Sequence, residues 1–315
     1  MAERLIGVDV GGTKVAVASL EGTVLHEVGS WPTDCDTEEE LLDQYVTSIR
    51  AAGRADAVGI AVPSAVDFAT GTARFSVNIP LAGVPLRDVL RERLGMPVYV
   101  DNDATCAALA EAYADDRTPL ARHLVMLTVG TGIGGGIVID GRIYRGASGA
   151  AAELGHQIVG ADLREGAPPA DEKFPQPPSL ENLAAGRGLH ALARERGMAD
   201  GEEAVRRAHE GHPEALECLR ILGERVGIGV ANAINTFDPD MVVLGGGISA
   251  AAGQLLLEPA TRVAEAYVMP GVGTRTRITL ARYANKAGMR GAALLAGQEL
   301  AAEQGEDARR GVVAG

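Results

Sequence analysis

The sequence is poor in aromatic residues, in cysteine and in positive charge, and each shortage argues against a class of protein. Only 3% of its 315 residues are aromatic, which disfavours stacking platforms for single-stranded nucleic acid. The formal net charge is −13 at pH 7, and the sequence has no basic stripe for nucleic acid or an anionic membrane. Its three cysteines are far apart and form no CxxC pair, which indicates a reducing compartment.

Long apolar runs and a leader-like start are also missing. The longest uncharged stretch, 124–139, is glycine-rich and falls short of the about 20 residues that a membrane-spanning helix needs. The first residues lack the apolar centre of a secretory signal peptide. We therefore predict a cytoplasmic protein that binds neither a membrane nor nucleic acid.

Glycine, in contrast, is abundant, with 41 residues of 315, about twice the usual ~7%. These glycines follow no G-X-Y period and lie in no Ser- or Gln-rich tract, so they serve particular loops. Two segments, 5–22 and 124–141, share one pattern of strand, Gly/Thr turn, strand and acidic-Gly turn. Their separation by about 120 residues, far above a solenoid period of ~20–50, predicts a duplicated domain rather than a solenoid.

Local signals predict alternating strands and helices. Thr37 and Glu40 form a capping box that opens a helix to about Ala52. The Pro- and charge-rich segment 161–178 reads as an exposed loop. Further strands are predicted at 5–9, 14–20, 24–28, 57–62, 97–100, 124–128, 134–139, 241–244 and 275–281, and further helices at 85–94, 104–113, 179–196, 202–233 and 288–302.

The first candidate site is the turn Asp9-Val10-Gly11-Gly12-Thr13-Lys14, which follows a buried strand. Glycine lets backbone N–H groups approach a phosphate closely, because no Cβ intervenes. The threonine hydroxyl and the lysine ammonium add donors, and Asp9 could hold a hydrated Mg²⁺. A plain hairpin turn is the alternative, and we favour phosphate contact.

The second candidate is the glycine-rich segment 128–136, which contains Gly130-Thr131-Gly132. It is neither a Walker A loop nor a Rossmann fingerprint, since a strand rather than a helix follows the glycines. Two Gly/Thr hairpins, one in each half, would instead hold a phosphate chain between them. A third run, Gly245-Gly246-Gly247, ends a strand and reads either as a platform for a flat ligand or as a packing turn.

Two further groups carry polar chemistry. Asp101-Asn102-Asp103 ends a strand, and its carboxylates could cap the next helix or present a general base, with Asn102 orienting the substrate. Glu153 and His156, with Glu181 further along, could bind vicinal sugar hydroxyls, belong to a solvated turn, or hold a divalent ion. A thiolate zinc site is excluded there, because no cysteine lies near.

The ordered set of motifs resembles the ROK family of sugar kinases, within the actin-like ATPase superfamily. The resemblance spans nearly the whole chain and implies an α/β fold of two actin-like (ribonuclease H-like) lobes with an interdomain active-site cleft. The matching segments are Asp9–Lys14, Val58–Pro63, Asn78-Ile79, Asn102–Ala104, Gly130–Gly136, Gly146–Gly149, Glu153–His156, Gly245–Ile248 and Asn285–Gly288.

The resemblance also implies the division of the chain and its activity. Residues 1–115 with the C-terminal helix 288–305 would form a small lobe, 116–287 a large lobe, and 306–315 a disordered tail. The implied reaction is ATP-dependent phosphorylation of a hexose at its 6-hydroxyl, most simply glucose, with Mg²⁺ bound through ATP near Asp9. A homodimer or homotetramer is also expected.

Residue roles follow from the same resemblance. Asp103 would be the catalytic base that takes the proton of the 6-hydroxyl. The sugar would contact Ser64, Asn78, Asn102, Glu153, His156 and Glu181. The phosphates would lie at Asp9, Gly11, Gly12, Thr13, Lys14, Thr131 and Gly132, and the adenosine at Gly246 and Gly247.

Three departures from the family pattern affect the sugar site. The three zinc-binding cysteines are absent from the stretch 174–181, so no structural zinc is expected and other contacts must orient His156. Ser64 stands where the family usually has glycine, and Thr105 where it has asparagine. An amino-sugar kinase acting on N-acetylmannosamine, glucosamine or kanosamine is therefore the leading alternative, and polyphosphate is an alternative donor.

Two non-kinase alternatives are a sugar-responsive regulator and a sugar-binding pseudoenzyme. The family's repressors carry an added N-terminal helix-turn-helix. Here the phosphate strand begins at residue 5, which leaves no room for such a domain within this sequence. Retention of Asp103 and both phosphate turns argues against a pseudoenzyme.

Overall fold

The computed structural model describes residues 3–33, 37–76 and 79–313, so Cys35 and Asn78 lie outside it. The chain divides into two compact units. Unit 1 comprises Met1–Leu120, Arg142–Ala151 and Asn285–Gly315, and unit 2 comprises Ala121–Gly141 and Ala152–Ala284.

The described residues form twelve strands and ten α-helices. The strands are β1 (Arg4–Val10), β2 (Lys14–Glu21), β3 (Val24–Pro32), β4 (Ala57–Val62), β5 (Ser64–Asp67), β6 (Thr72–Ser76), β7 (Val98–Asn102), β8 (Leu124–Val129), β9 (Ile133–Ile139), β10 (Arg142–Ile143), β11 (Met241–Gly245) and β12 (Arg277–Leu280). The helices are α1 (Glu38–Ala51), α2 (Leu86–Leu94), α3 (Asp103–Glu111), α4 (Leu180–Ala184), α5 (Gly186–Glu195), α6 (Gly201–His209), α7 (Pro213–Phe237), α8 (Gly246–Ala252), α9 (Gln254–Tyr267) and α10 (Ala287–Val313).

Each unit is built on a sheet of the same topology. In unit 1 the order is β3-β2-β1-β4-β7, with β1 antiparallel to β2 and the pairs β1/β4 and β4/β7 parallel. In unit 2 the order β9-β8-β11-β12 repeats this, with β8 antiparallel to β9 and the pairs β8/β11 and β11/β12 parallel. The repeated topology agrees with the duplication predicted from the two Gly/Thr turns.

Helix α10 packs directly on the sheet of unit 1 because the facing strand positions are glycine. A Cβ at Gly7 of β1 would lie 1.8 Å from the carbonyl oxygen of Met289, and one at Gly59 of β4 would lie 1.8 Å from that of Ala292. Any larger residue would push the helix away. The C-terminal helix is therefore fixed against β1 and β4, whose C-terminal ends lead to candidate-site residues.

The core of unit 2 lies between its sheet and the long helix α7. Leu180 of α4 is fully buried in this core, and a Cβ at Gly229 of α7 would lie 2.4 Å from its Cδ2 atom. Helix α9 packs on α7 through Pro259, which fits against Gly223. These contacts fix α4, which carries one of the predicted site residues, on the interior of the unit.

Several predicted boundaries need correction. The segments 179–196 and 202–233 each form two helices, broken at Ala185 and before Pro213. The segment 306–313 is helical rather than a disordered tail, because its Glu, Ala and Arg residues favour helix and extend α10. Arg142–Ala151, assigned from the sequence to the large lobe, belongs to unit 1. Within the described chain, no helix is both long and apolar enough to cross a membrane.

Candidate active site

The turn of unit 1 between β1 and β2 is held by its own backbone and by Thr33. Gly11 N–H donates to the carbonyl oxygen of Lys14 (2.8 Å), and Thr33 N–H donates to that of Thr13 (2.9 Å). The Thr33 hydroxyl also donates to the carbonyl oxygen of Gly11 (3.0 Å). Among the described residues, the N–H groups of Gly12 and Thr13 find no acceptor. The turn therefore presents free donors of the kind an anion binds.

Asp9, at the C-terminal end of β1, has an altered acidity. Burial, and to a smaller extent the nearby Asp103 carboxylate, raise its pKa to about 6, although Lys14 acts in the opposite direction. A Cβ at Gly288 of α10 would lie 2.5 Å from the Asp9 carboxyl carbon, so the carboxylate lies directly against the helix. Asp9 thus lies within electrostatic range of the Asp103 carboxylate and of Lys14.

Asn102 and Asp103 lie where β7 passes into α3. Asn102 Oδ1 accepts from Thr105 N–H (3.1 Å) and from the Thr105 hydroxyl (3.2 Å), so Asn102 is the helix cap. Asp103 is the first helical residue, its Oδ1 accepts from Ala104 N–H (2.7 Å), and burial raises its pKa. The helix cap is therefore Asn102 and not one of the carboxylates, as the capping alternative had it, and the Asp103 carboxylate has the raised pKa that suits a general base.

The contact that fixes this strand end was not predicted from the sequence. The buried Asp101 accepts from Arg145 Nε (2.7 Å) and from Asn102 N–H (2.9 Å). The Arg145 guanidinium also pairs with Glu299 of α10 (3.3 Å) and lies over the Phe68 ring at 3.5 Å. Arg145 directly precedes the Gly146–Gly149 motif, which is the one sequence signal that could have indicated it.

Ser64 of β5 lies beside Asn102. The Asn102 amide donates to the carbonyl oxygen of Ser64 (3.4 Å), while the buried Ser64 hydroxyl donates to that of Ala65 (3.3 Å). Unit 1 thus brings together Asp9, Asp103, Asn102 and Ser64. Asn78, the remaining sugar residue predicted for this part of the chain, lies outside the described residues.

The turn of unit 2 between β8 and β9 is held from outside by the α4–α5 segment. Gly130 N–H donates to the carbonyl oxygen of Gly132 (2.9 Å), and Gly186 N–H donates to that of Gly130 (2.8 Å). Ile133 N–H donates to Glu181 Oε2 (2.7 Å). The N–H groups of Thr131 and Gly132 have no acceptor in the described part of the chain. Glu181, predicted for the sugar, therefore contacts the turn that was predicted for the phosphates.

The third glycine run lies beside this turn. Gly246, with φ of 86°, begins α8, and a Cβ there would lie 2.5 Å from the carbonyl oxygen of Val129. A Cβ at Gly247 would meet no described atom within 4 Å, and one at Gly130 would lie 3.7 Å from Gly247 N. The predicted adenosine and phosphate positions of unit 2 are thus contiguous, and Gly247 faces open space.

His156 ends the short 3-10 turn Leu154–His156. Its Nε2 lies 3.8 Å from Glu153 Oε2, and its ring meets Phe174 edge-on at 5.6 Å between centroids. Its Nδ1 is buried and has no hydrogen-bond partner among the described residues. Phe174 belongs to the stretch that lacks the family's cysteines, so an aromatic edge lies against the imidazole.

The structure contradicts one alternative for these residues. Within residues 3–33, 37–76 and 79–313, no three His, Cys, Asp or Glu side chains cluster closely enough to hold a metal ion. His156, Glu153 and Glu181 therefore do not form the divalent-ion site considered from the sequence, because Glu181 reaches to Ile133 instead. A phosphate-bound Mg²⁺ is a different case, since it needs only one or two protein carboxylates.

Known proteins similar to this chain cover almost all of it. The ROK family profile matches residues 5–299. A glucokinase from Halalkalibacterium halodurans is 32% identical, with 98% of this chain and 99% of that protein covered. An N-acetyl-D-glucosamine kinase from Aliivibrio fischeri is 33% identical, with 92% and 98% covered.

A solved structure gives the same result for the fold. It is a ROK family glucokinase from Streptomyces griseus in complex with glucose and AMPPNP, 30% identical, with a TM-score of 0.73 over 94% of this chain and 99% of that one. The α/β actin-like fold expected from the motifs is thereby confirmed. This chain belongs to the ROK family.

Proposed function

We propose that the protein is an ATP-dependent hexose kinase that phosphorylates the 6-hydroxyl of glucose. The observation that carries the proposal is the pair of carboxylates in unit 1, Asp9 and Asp103, beside a Gly-Gly-Thr turn with unpaired N–H groups. Phosphoryl transfer requires a base near the attacking hydroxyl and donors for the phosphates, and it requires little covalent chemistry from the protein. The similarity to glucokinases over the full chain supports the same reaction.

Asp103 is the base in this proposal. Its Oδ1 is occupied by Ala104 N–H, so we assign Oδ2 to the proton of the sugar 6-hydroxyl. The hydroxyl oxygen forms a bond to the γ-phosphorus, the bond from that phosphorus to the β-γ bridging oxygen breaks, and ADP leaves. Arg145 and Asp101 hold the strand end, which keeps the Asp103 carboxylate in place during the transfer.

The two turns bind the phosphates in this proposal. Gly12 and Thr13 in unit 1, and Thr131 and Gly132 in unit 2, supply backbone N–H groups that have no partner within the described residues. Asp9 fits a Mg²⁺ that is held mainly by the nucleotide, because it is a half-buried carboxylate at the turn. When bound, that ion neutralises phosphate charge.

The sugar contacts proposed for unit 2 are Glu153, His156 and Glu181. The imidazole Nε2 and two carboxylates supply a donor and acceptors for hydroxyl groups. Glu181 has only its Oε2 atom on Ile133, so Oε1 is the oxygen we assign to the sugar. Thr131 and Gly132 lie next to this residue, and Gly246 and Gly247 would receive the adenosine.

An amino-sugar kinase is the second candidate, because several relatives of 33% identity are N-acetyl-D-glucosamine kinases. A coupled ADP assay with Mg-ATP separates the two candidates when glucose, mannose, glucosamine, kanosamine, N-acetylglucosamine and N-acetylmannosamine are compared. We expect glucose to give the highest kcat/KM. Turnover no faster than in the absence of sugar, with every sugar tested, would contradict the proposed function.

Further parts of the proposal need their own measurements. ATP rather than polyphosphate is the proposed donor, and the same assay with polyphosphate in place of ATP tests this choice.

A homodimer or homotetramer in the cytoplasm is also proposed. Light scattering in solution, with a result above the mass of one chain, would support the assembly.

A further inference from the structure

The phosphate turn of unit 2 is fixed at both ends by one short segment, Glu181–Gly186. At one end Gly186 N–H donates to the carbonyl oxygen of Gly130, and at the other Ile133 N–H donates to Glu181 Oε2. Between these points, the N–H groups of Thr131 and Gly132 have no acceptor among the described residues. The segment thus holds the turn while leaving its central donors available.

Helix α4 gives Glu181 a fixed base from which to reach the turn. The fully buried Ser179 caps the helix by accepting from Asn182 N–H (3.2 Å). Leu180 N–H donates to the carbonyl oxygen of Gln157 (2.9 Å), and its side chain is buried in the core of unit 2. The main chain at Glu181 therefore has little freedom, and its carboxylate transmits that rigidity to Ile133.

Charge decides what the Glu181 carboxylate does at this turn. An ionised carboxylate repels a phosphate, so it does not itself bind the anion. It accepts a charge-assisted hydrogen bond from Ile133 N–H at 2.7 Å, which is stronger than a bond between neutral groups. Any favourable effect on a bound phosphate must therefore pass through the backbone of the turn.

We propose that Glu181 is a positioning residue of the nucleotide site, in addition to the sugar contact expected from the family resemblance. This inference rests on the proposed function, because it takes the Gly130–Ile133 turn to be a phosphate turn. The bond to Ile133 holds Thr131 N–H and Gly132 N–H in the orientation that receives a phosphate. Loss of the bond weakens nucleotide affinity even when no sugar is bound.

Gly132 offers an independent way to move the same carboxylate. A Cβ at Gly132 would lie 2.5 Å from Glu181 Oε2, so an alanine there would force the carboxylate away from Ile133 N–H. Gly132→Ala therefore removes the bond while retaining the glutamate. The variant thus tests the position of the Glu181 carboxylate separately from its presence.

The test is calorimetric binding of AMPPNP with Mg²⁺, in the absence of sugar, to Glu181→Ala, Glu181→Gln and Gly132→Ala. We expect Kd to rise about tenfold or more in Glu181→Ala, because a charge-assisted bond is lost and a backbone donor is left unpaired. Glu181→Gln should cause a smaller rise, since its amide oxygen still accepts from Ile133 N–H. Gly132→Ala should resemble Glu181→Ala.

Glu202→Gln is the matched control, because Glu202 is exposed and holds the same second helical position in α6 as Glu181 holds in α4. Its Kd for AMPPNP should stay within twofold of the wild type. Hydrogen–deuterium exchange at the peptide containing Ile133 should quicken in Glu181→Ala and Gly132→Ala, and this readout follows the bond itself.

The outcomes separate this inference from the proposed function. If Glu181→Ala and Gly132→Ala bind AMPPNP as the wild type does, the inference is wrong. Weaker sugar binding by Glu181→Ala would then make Glu181 a sugar contact alone. Failure of the wild type to phosphorylate every sugar in the panel would instead contradict the proposed function. A wild-type Kd for AMPPNP that Glu181→Ala raises supports the inference in either case.

Discussion

The two Gly/Thr turns lie at equivalent positions of two sheets with the same topology, yet they are held in different ways. In unit 1, the Gly11–Thr13 turn is closed by its own hairpin and by Thr33. In unit 2, the Gly130–Gly132 turn depends on the α4–α5 segment. The comparison teaches that two turns of the same topology can both leave central N–H groups free while different contacts hold them.

The corresponding strand ends differ even more. In unit 1, β7 ends in Asp101-Asn102 and is followed by Asp103, and the buried Asp101 is fixed by Arg145. The topologically equivalent strand of unit 2, β12, ends at Leu280 and is followed by Ala281-Arg282, without a carboxylate. The proposed base thus belongs to one copy of the repeat, and the roles proposed for unit 2 are binding contacts alone.

The largest effect expected from this difference is that of Asp103→Ala. We expect turnover with the best hexose to fall by about 10²–10⁴-fold, the usual contribution of a general base. The Kd for AMPPNP should change little, because the phosphate turns remain. Asp88→Asn, which alters an exposed carboxylate of the same unit, should leave kcat within twofold. Turnover of Asp103→Ala within a few-fold of the wild type would remove the base from unit 1.

Asp9→Asn tests whether the acidic character of the first turn serves Mg²⁺. We expect kcat/KM at limiting Mg²⁺ to fall roughly tenfold or more, because a charged contact is lost. The unfolding temperature of the variant at pH 7 should rise, because Asp9 is ionised there at a cost in stability that the neutral Asn does not have. Each kcal/mol gained corresponds to roughly 2–4 °C. Burial raises the Asp9 pKa, so its contribution to stability is present at acid pH and is lost as the pH rises through about 6. A lower unfolding temperature for the variant would contradict the raised pKa of Asp9.

Thr33→Val tests the support of the first turn. Removing the bond from its hydroxyl to the carbonyl oxygen of Gly11 should raise the KM for ATP by about fivefold, which corresponds to about 1 kcal/mol. The effect should be smaller than that of Glu181→Ala, because the hairpin bond from Gly11 to Lys14 remains. Thr47→Val, an exposed change in α1, is the control. An effect equal to that of Glu181→Ala would mean that the turns are held alike.

Phe174→Ala should have the smallest effect, and it concerns the sugar rather than the nucleotide. Edge-to-face contacts are worth about 0.5–1.5 kcal/mol, and the 73% exposure of Phe174 favours the lower value. We expect the KM for the sugar to rise by about two- to threefold with little change in kcat, and Phe174→Trp to restore it. Tyr267→Ala, with 66% exposure in the same unit, is the control. An unchanged sugar KM would mean that Phe174 does not orient His156.

Much of unit 1 could be predicted, because its signals are local. The capping box at Thr37 and Glu40 is present as predicted, and β1, β2 and β4 lie within one residue of the predicted bounds. A cap is present at the predicted strand-to-helix junction, although Asn102, through Thr105, provides it rather than a carboxylate. Such features depend on residues a few positions apart in the chain.

The features that the sequence did not predict depend on distant contacts. Helix α9 was not predicted, and Pro259 in its interior argues against a helix until its packing on Gly223 is seen. The break at Ala185 was missed because its cause is tertiary, since Gly186 N–H reaches the carbonyl oxygen of Gly130. Arg145, paired with Asp101, was missed for the same reason.

The candidate site divides in the same manner. The glycine turns and Asp103 follow from sequence motifs, whereas the second contact of Glu181 and the ring against His156 follow only from the structure. The motifs therefore predict which chemistry the chain can perform. The distant contacts show how its groups are held.

The pH dependence of kcat/KM tests most directly the claim that unit 1 works through two close carboxylates. The Asp9 pKa is raised to about 6, and burial raises the pKa of Asp103 as well, so both groups must lose their protons above the ordinary range of aspartate. We predict that kcat/KM at saturating Mg-ATP is constant near pH 8 and falls as the pH drops through about 6. A rate that stays constant down to about pH 4, the ordinary pKa of aspartate, would contradict the account.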